Sequence, residues 1–204
     1  MWALIEDGSI TKLINNPKAM VIGDIQYSRN IFSFRWSNEE REAVGLYEIV
    51  FDNTNKKDEE YYTNTNQSFA FADGVVTASY GSATAKAHAD ANATDEDGAE
   101  LDPVVVIEGL KTKKIRVIKQ QAAGILAETD WYIVRKADAD TAIPSAITNH
   151  RAAVRTKCAA METLVTNASN TAAIETLYTY VNTADEGDPA VIERPLGELP
   201  TLEV

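Results

Sequence analysis

The sequence predicts an α+β fold, with a β-rich N-terminal module carrying one short helix and an antiparallel helical C-terminal module. Two observations predict it. Short runs of β-branched and aromatic residues, broken by Asp-Gly turns, fill the first eighty positions. From residue 109 onward, apolar residues recur at spacings of three and four. The expected organisation is a β-rich module over 1–80, a linker with an acidic loop over 81–108, a helical module over 109–182, and an extended acidic tail over 183–204.

The strands come first. Trp2–Ile5 and Ile10–Ile14 flank Glu6-Asp7-Gly8-Ser9, and Ser68–Ala72 and Val75–Tyr80 flank Asp73-Gly74. Asp-Gly readily takes the positive φ angles of a two-residue hairpin turn, so both pairs read as hairpins. Met20–Ile22 and Ile25–Phe34 are mixed, with some β character. Ser37-Asn38-Glu39-Glu40 fits a capping box, with Ser37 as N-cap and Glu40 reaching back. The helix it opens ends early, because Gly45 suits a left-handed C-terminal position. Leu46–Phe51 is the next strand, and Asp52–Glu60 a polar loop.

Composition shifts after Tyr80. Residues 81–100 are rich in Ala, Thr, Asp and Gly, with an acidic run Asp95-Glu96-Asp97-Gly98. Val104–Ile107 reads as a short strand or as the lead-in to the next helix. Ile115, Ile118, Ala122 and Ile125 form one apolar stripe, with Lys111, Lys113, Lys114, Arg116 and Lys119 around it. Asp130 is the expected N-cap of a short turn through Val134. Pro144 opens another helix, with Ile147, Val154, Cys158, Met161 and Val165 on one face. The two long helices should pack antiparallel. A third helix is expected over Ala172–Val181. The tail, with Pro189, Pro195 and Pro200 among acidic residues, should be extended or disordered.

Composition then bounds function. The formal charge is −12, whereas a phosphate-binding surface needs clustered Lys and Arg. Nucleic acid and anionic membranes are therefore not expected partners. No apolar run approaches the roughly 18 residues of a membrane span, and the N-terminal residues lack the pattern of a signal peptide. Cys158 is the single cysteine, which excludes an internal disulfide.

Catalytic chemistry finds no foothold. His88 and His150 fit no metal-ligand spacing. Cys158 lies far from His150 even on one helix, about 12 Å along its axis, so an inert thiol is expected. Asp90, Asn92, Asp95 and Asp97 miss the calcium-loop pattern, because Asp95 stands at the required glycine and Leu101 at the terminal glutamate. No phosphate-binding glycine loop and no nucleophile elbow is present. No catalytic residue, cofactor or metal ligand is therefore assigned. The basic run Lys111–Lys119 reads as the wet face of an amphipathic helix, with docking to an acidic surface as the other reading. Trp131 reads as a core plug between helices, with exposed recognition beside Tyr132 as the other reading.

One pattern reaches further. Gln121–Arg135, with Ile125-Leu126-Ala127-Glu128-Thr129-Asp130-Trp131 and then Arg135, resembles a Leu-Leu-x-x-Thr-Asp-Trp-x-x-x-Arg segment of small tailed-phage tail proteins. There it precedes a proline and a Tyr-Arg-x-Ala-(Val or Leu)-Arg element. Here the second element is Ile143-Pro144 followed by His150-Arg151-Ala152-Ala153-Val154-Arg155, and His150 replaces the usual aromatic residue. Ile25-Gln26-Tyr27, Trp36-Ser37-Asn38-Glu39-Glu40 and Val44-Gly45-Leu46-Tyr47 resemble the opening of the same proteins. The resemblance spans roughly Met20 to Tyr180.

It implies a tail-fibre assembly chaperone, a non-enzymatic protein that binds the C-terminal tip of a trimeric bacteriophage tail fibre. Some such chaperones remain in the virion. The implied partner is the tail fibre protein, in a homo-oligomeric or trimeric complex. The implied place is the virion tail, or the host cytoplasm during assembly. The alternatives are a permanent structural component of the tail or baseplate, and a receptor-binding adaptor active in host attachment. The resemblance transfers no binding residues.

Overall fold

A computed structural model describes residues 1–202. The chain is α+β and forms two compact units, Met1–Thr84 and Ala85–Val204. In the first, the strands are β1 (Trp2–Glu6), β2 (Ser9–Ile14), β3 (Met20–Ile22) and β4 (Ile25–Tyr27). Helix α1 (Asn38–Glu42), β5 (Leu46–Asp52), β6 (Tyr62–Thr63), β7 (Gln67–Ala72) and β8 (Val75–Tyr80) follow. Strand β9 (Thr84–Ala85) straddles the boundary.

Five strands make one sheet in the order β2-β1-β5-β8-β7. Both Asp-Gly hairpins form, with positive φ at Asp7, Gly8, Asp73 and Gly74. Strands β5 and β8 pair parallel, with Ile49 opposite Val76. On one face Ala3, Ile5, Ile49, Val76 and Ala78 form a buried cluster. On the other, Ile14, Ile31 and Leu46 are covered by Trp2, Met20, Ile22, Tyr27, Phe32, Trp36 and Val44. The mixed segment resolves into the β3–β4 hairpin and a 3-10 turn, Arg29–Phe32, rather than one strand to Phe34.

The capping box is present in full, with Ser37 and Glu40 each bonding the other's backbone N–H. Buried Arg41 ties the covering segment to the sheet. Its guanidinium donates to the carbonyls of Ser33 (3.0 Å) and Trp36 (2.7 Å) and to Asn38 Oδ1 (2.7 Å). It also lies 4.8 Å from the Trp2 ring centre, a cation–π contact. Gly45 has φ +81°, and a Cβ there would come to 2.4 Å of the Ile5 carbonyl oxygen. That close approach serves the Ile5 N–H, which donates to the Gly45 carbonyl at 2.7 Å.

The second unit contains β10 (Ala91–Asn92), β11 (Val106–Ile107), α2 (Leu110–Ala127), α3 (Asp130–Ala139), α4 (Ser145–Asn167), α5 (Thr171–Tyr178), β12 (Val181–Asn182) and β13 (Ile192–Glu193). Helices α2 and α4 run antiparallel: Lys111 Nζ donates to the Thr166 carbonyl, Lys119 pairs with Glu162, and Arg151 reaches the Leu126 carbonyl. Their stripes meet at Ile118, Met161 and Val165. The third helix begins and ends slightly earlier than expected, at Thr171 and Tyr178. No helix among the described residues is long and apolar enough to cross a membrane.

Two expectations are corrected. The 81–108 segment is not a plain linker: its larger part folds with the helices as the antiparallel β10–β11 hairpin. Asp90 holds that hairpin down, accepting from the Gly109 N–H (2.7 Å) and the Thr112 hydroxyl (2.8 Å). The tail is not free either. Leu196 is fully buried against Ile118, Met161 and Val165, and its N–H donates to the Leu177 carbonyl at 3.0 Å. Arg194 lies against the rings of Tyr178 and Tyr180 and pairs with Glu198 at 2.7 Å. One leucine and one arginine laid on aromatic rings dock a tail whose acidic, proline-containing composition suggested an extended or disordered segment. The last two residues of the predicted tail, Glu203 and Val204, lie outside the described residues.

Two glycines test this packing. Gly45→Ala should destabilise the protein by more than about 1 kcal/mol, since both φ and space are wrong for a Cβ. Gly124→Ala, in the interior of α2 with nothing within 4 Å, should instead stabilise it by about 0.5–1 kcal/mol. Melting temperatures moving in opposite directions would verify both; a shift of the same sign would contradict the local geometry.

Asp90 gives a pH test. The Gly109 N–H and then the Thr112 hydroxyl hold its carboxyl below the ordinary value. The folded state thus prefers the carboxylate. Its contribution is complete above the unfolded carboxyl's pKa of about 3.9 and is lost as pH falls through the depressed folded value. The stability gap between wild type and Asp90→Ala should be constant near neutrality and close in strong acid. A gap independent of pH would contradict this role.

Candidate functional site

The most organised polar cluster of the second unit lies where α2 ends and α3 begins, against α4. Helix α2 stops at Ala127, leaving terminal carbonyls without intrahelical partners. Arg151 of α4 is buried beneath that end. One guanidinium nitrogen donates to the Leu126 carbonyl and to the Thr129 hydroxyl, each at 2.7 Å. The other meets Asp130 Oδ1 at 2.8 Å. Thr129 is itself buried and donates from its hydroxyl to the Leu126 carbonyl at 3.0 Å. A planar fork with fixed donors suits three acceptors held at once; a lysine ammonium does not.

The Thr-Asp pair and the first arginine of Arg-x-x-x-Arg therefore form one physical unit. The second arginine, Arg155, does not join it; its guanidinium lies 3.5 Å from the Arg151 carbonyl on the same helix. Asp130 was expected as an N-cap. Instead Thr129 occupies the N-cap position without a side-chain cap bond, and Asp130 is spent on Arg151.

Trp131 is not the predicted plug. It is 50% exposed, and α3 buries none of its residues. The buried side chains at this junction are Thr129 and Arg151, not Trp131. Its ring lies 3.7 Å from the Tyr132 ring, centre to centre, and the Arg135 guanidinium sits 4.8 Å from the Trp131 ring centre. Val134, one turn on, is exposed on the same face. This is an aromatic–apolar helix surface on a polar anchor.

The other residues singled out by sequence are scattered. His150 is buried on α4, and His88 contributes its backbone carbonyl to Lys111 N–H. The Cys158 thiol is pushed up, first by burial and then by its bond to Glu162. Asp95 closes its own turn by accepting from Asp97 N–H and Ala99 N–H. No group of three or more metal-ligating side chains occurs among the described residues. Most of the basic run has intramolecular partners: Lys114 is buried over the Tyr178 ring, while the exposed Arg116 pairs with Glu108 and Lys119 with Glu162. Sequence reasoning missed the Arg151 fork, although an arginine among the apolar positions of α4 was a signal for it.

Arg151→Lys should cost about 1–3 kcal/mol by losing charge-assisted bonds to Leu126, Thr129 and Asp130 that one ammonium cannot make together. The melting temperature should fall with the helix content retained. An unchanged melting temperature would show that the fork is not structural.

No family model, curated protein or solved structure matches this chain.

Proposed function

We propose that this protein is a non-enzymatic tail-fibre assembly chaperone of a tailed bacteriophage, binding the C-terminal tip of a trimeric fibre. It acts in the host cytoplasm during assembly and can stay on the finished tail. One observation carries the reading. Of the residues that resemble the tail-protein pattern, Thr129 and Asp130 are both bonded to Arg151, and Trp131 beside them is half exposed. A pattern serving only the core would bury its tryptophan. One that fixes a helix end and displays an aromatic surface suits a protein whose work is contact.

The client's chemistry fits. A trimeric β-structured tip has unpaired strand edges and apolar ends until its three chains meet. A small acidic partner can cover them without itself aggregating. Closed symmetry favours one copy per fibre chain, or one on the threefold axis.

The test is co-expression of the fibre gene with and without this protein, read by size-exclusion chromatography. The expected result is a higher yield of soluble trimer, and co-elution with the fibre tip. A fibre equally soluble and trimeric alone would replace the chaperone reading with that of a structural tail component. Trp131→Ala should shift stability by no more than about 0.5 kcal/mol, as an exposed site, and weaken co-elution at least tenfold. A large loss of stability with unchanged co-elution would return Trp131 to a structural role.

A further inference from the structure

Strand β11 and its lead-in form an apolar run, Val104-Val105-Val106-Ile107, that the fold does not cover. All four residues are between 49% and 58% exposed. Successive strand residues point to opposite faces, so both faces of this strand are apolar and open. Continuous β-branched runs belong to strands buried on both faces, and natural proteins blunt exposed edges of this kind.

One edge is also open. β10 and β11 form a two-stranded sheet. The Ala93 N–H donates to the Val105 carbonyl at 2.7 Å, and Asn92 faces Val106 across the ladder. In an antiparallel pair this makes Asn92–Val106 the non-bonded pair, so the Val106 N–H and C=O point away from β10. The hairpin's base is pinned by Asp90 to Gly109 and Thr112 at the start of α2. Gly109 is required for that seat, because a Cβ there would meet the Ala89 carbonyl at 2.4 Å.

Charge identifies the occupant. Between Lys86 and Lys111 there is no lysine or arginine; Glu108 is paired with Arg116 and Asp90 is spent on the cap, and Asp95, Glu96, Asp97, Glu100 and Asp102 leave the apolar run's N-terminal flank acidic. Two copies paired edge to edge would bring carboxylates against carboxylates, which is unfavourable. A strand with an apolar centre and basic ends would extend the sheet, cover the valines and neutralise that flank.

We infer that the open edge of β11 is a strand-addition site for an extended segment of another protein, with a short β-branched or aromatic run flanked by Lys or Arg. The inference rests on the chaperone reading only for the identity of that protein, the fibre tip; the edge and its charge stand without it.

The probe is a labelled synthetic peptide of about eight residues, with a central valine–isoleucine run and lysine ends. A second peptide has glutamate at its ends. Binding to the full-length protein is read by fluorescence anisotropy. The basic peptide should bind, at least tenfold more weakly as sodium chloride rises from about 50 to about 500 mM, and the acidic one should bind at least tenfold more weakly than the basic one at low salt.

Val106→Pro removes the outward N–H while leaving the β10–β11 ladder, and edge strands tolerate proline. It should weaken peptide binding at least tenfold with an unchanged melting temperature. Asp97→Lys with Asp102→Lys, a surface change, should weaken it at least fivefold without touching the strand. Equal binding of the two peptides, wild-type affinity in both variants, or a dimer that Val106→Pro dissolves would overturn the inference. Co-expression with the fibre separates the two readings. Peptide binding without any gain in soluble fibre leaves the strand site and removes the chaperone. A gain in fibre that Val106→Pro preserves leaves the chaperone and removes the strand site.

Discussion

The helical unit depends on one desolvated guanidinium. Arg151 is charged, buried, and bonded to the end of α2, the α2–α3 connector and the first residue of α3. Helix ends carry carbonyls that must find donors, and a buried arginine must find acceptors. The two terminal nitrogens of Arg151 meet these requirements here, while its buried Nε has no partner among the described residues. The solution fixes where α2 stops and the direction in which α3 leaves. Apolar packing between α2 and α4 brings the helices together, but Ile118, Met161 and Val165 carry no such directional information. The arginine turns a helix pair into a specific junction.

What was legible in the sequence was local. Asp7-Gly8 and Asp73-Gly74 specify their turns by backbone preference alone, and Ser37 and Glu40 specify their cap across three residues. The α2 and α4 stripes follow from helical period. What was not legible was tertiary. Nothing in Leu46–Phe51 tells that it pairs parallel to β8 rather than antiparallel to a neighbour, because side-chain alternation is the same in both. The tail was misjudged because composition averages over residues, whereas docking rested on Leu196 and Arg194. Trp131 was misjudged because residue type was given more weight than its place on a helix that buries none of its residues. At the candidate site, then, the motif residues were legible and their roles were not. The bonds joining Thr129 to Arg151 span 22 positions, and no spacing rule reaches that far.

Two surfaces of the helical unit share a design. The Trp131 face stands on the Arg151 fork, and the Val104–Ile107 run stands on the Asp90 cap. In each, exposed apolar side chains sit beside a polar anchor that holds the backbone in place. Association is opposed by the entropy of ordering whatever moves in the free state. A surface already held by such hydrogen bonds loses little further freedom on binding, so a modest apolar area can suffice. The anchors are thus as relevant to binding as the residues that touch a partner.

The acidic balance of the chain completes that argument. An exposed run of β-branched residues with an open edge would normally favour self-association. Glu108 is paired with Arg116, but the carboxylates of Asp95, Glu96, Asp97, Glu100 and Asp102, none of them ion-paired among the described residues, place the electrostatic cost on pairing with a second copy, since it carries the same charges. The same carboxylates lower the free energy of pairing with a basic strand. Specificity is a difference between two affinities, and a repulsive element against the wrong partner contributes as much as an attractive one toward the right partner. The net charge of −12 thus has a local role at this edge. It lets an uncovered strand persist as a binding edge rather than as a site of aggregation.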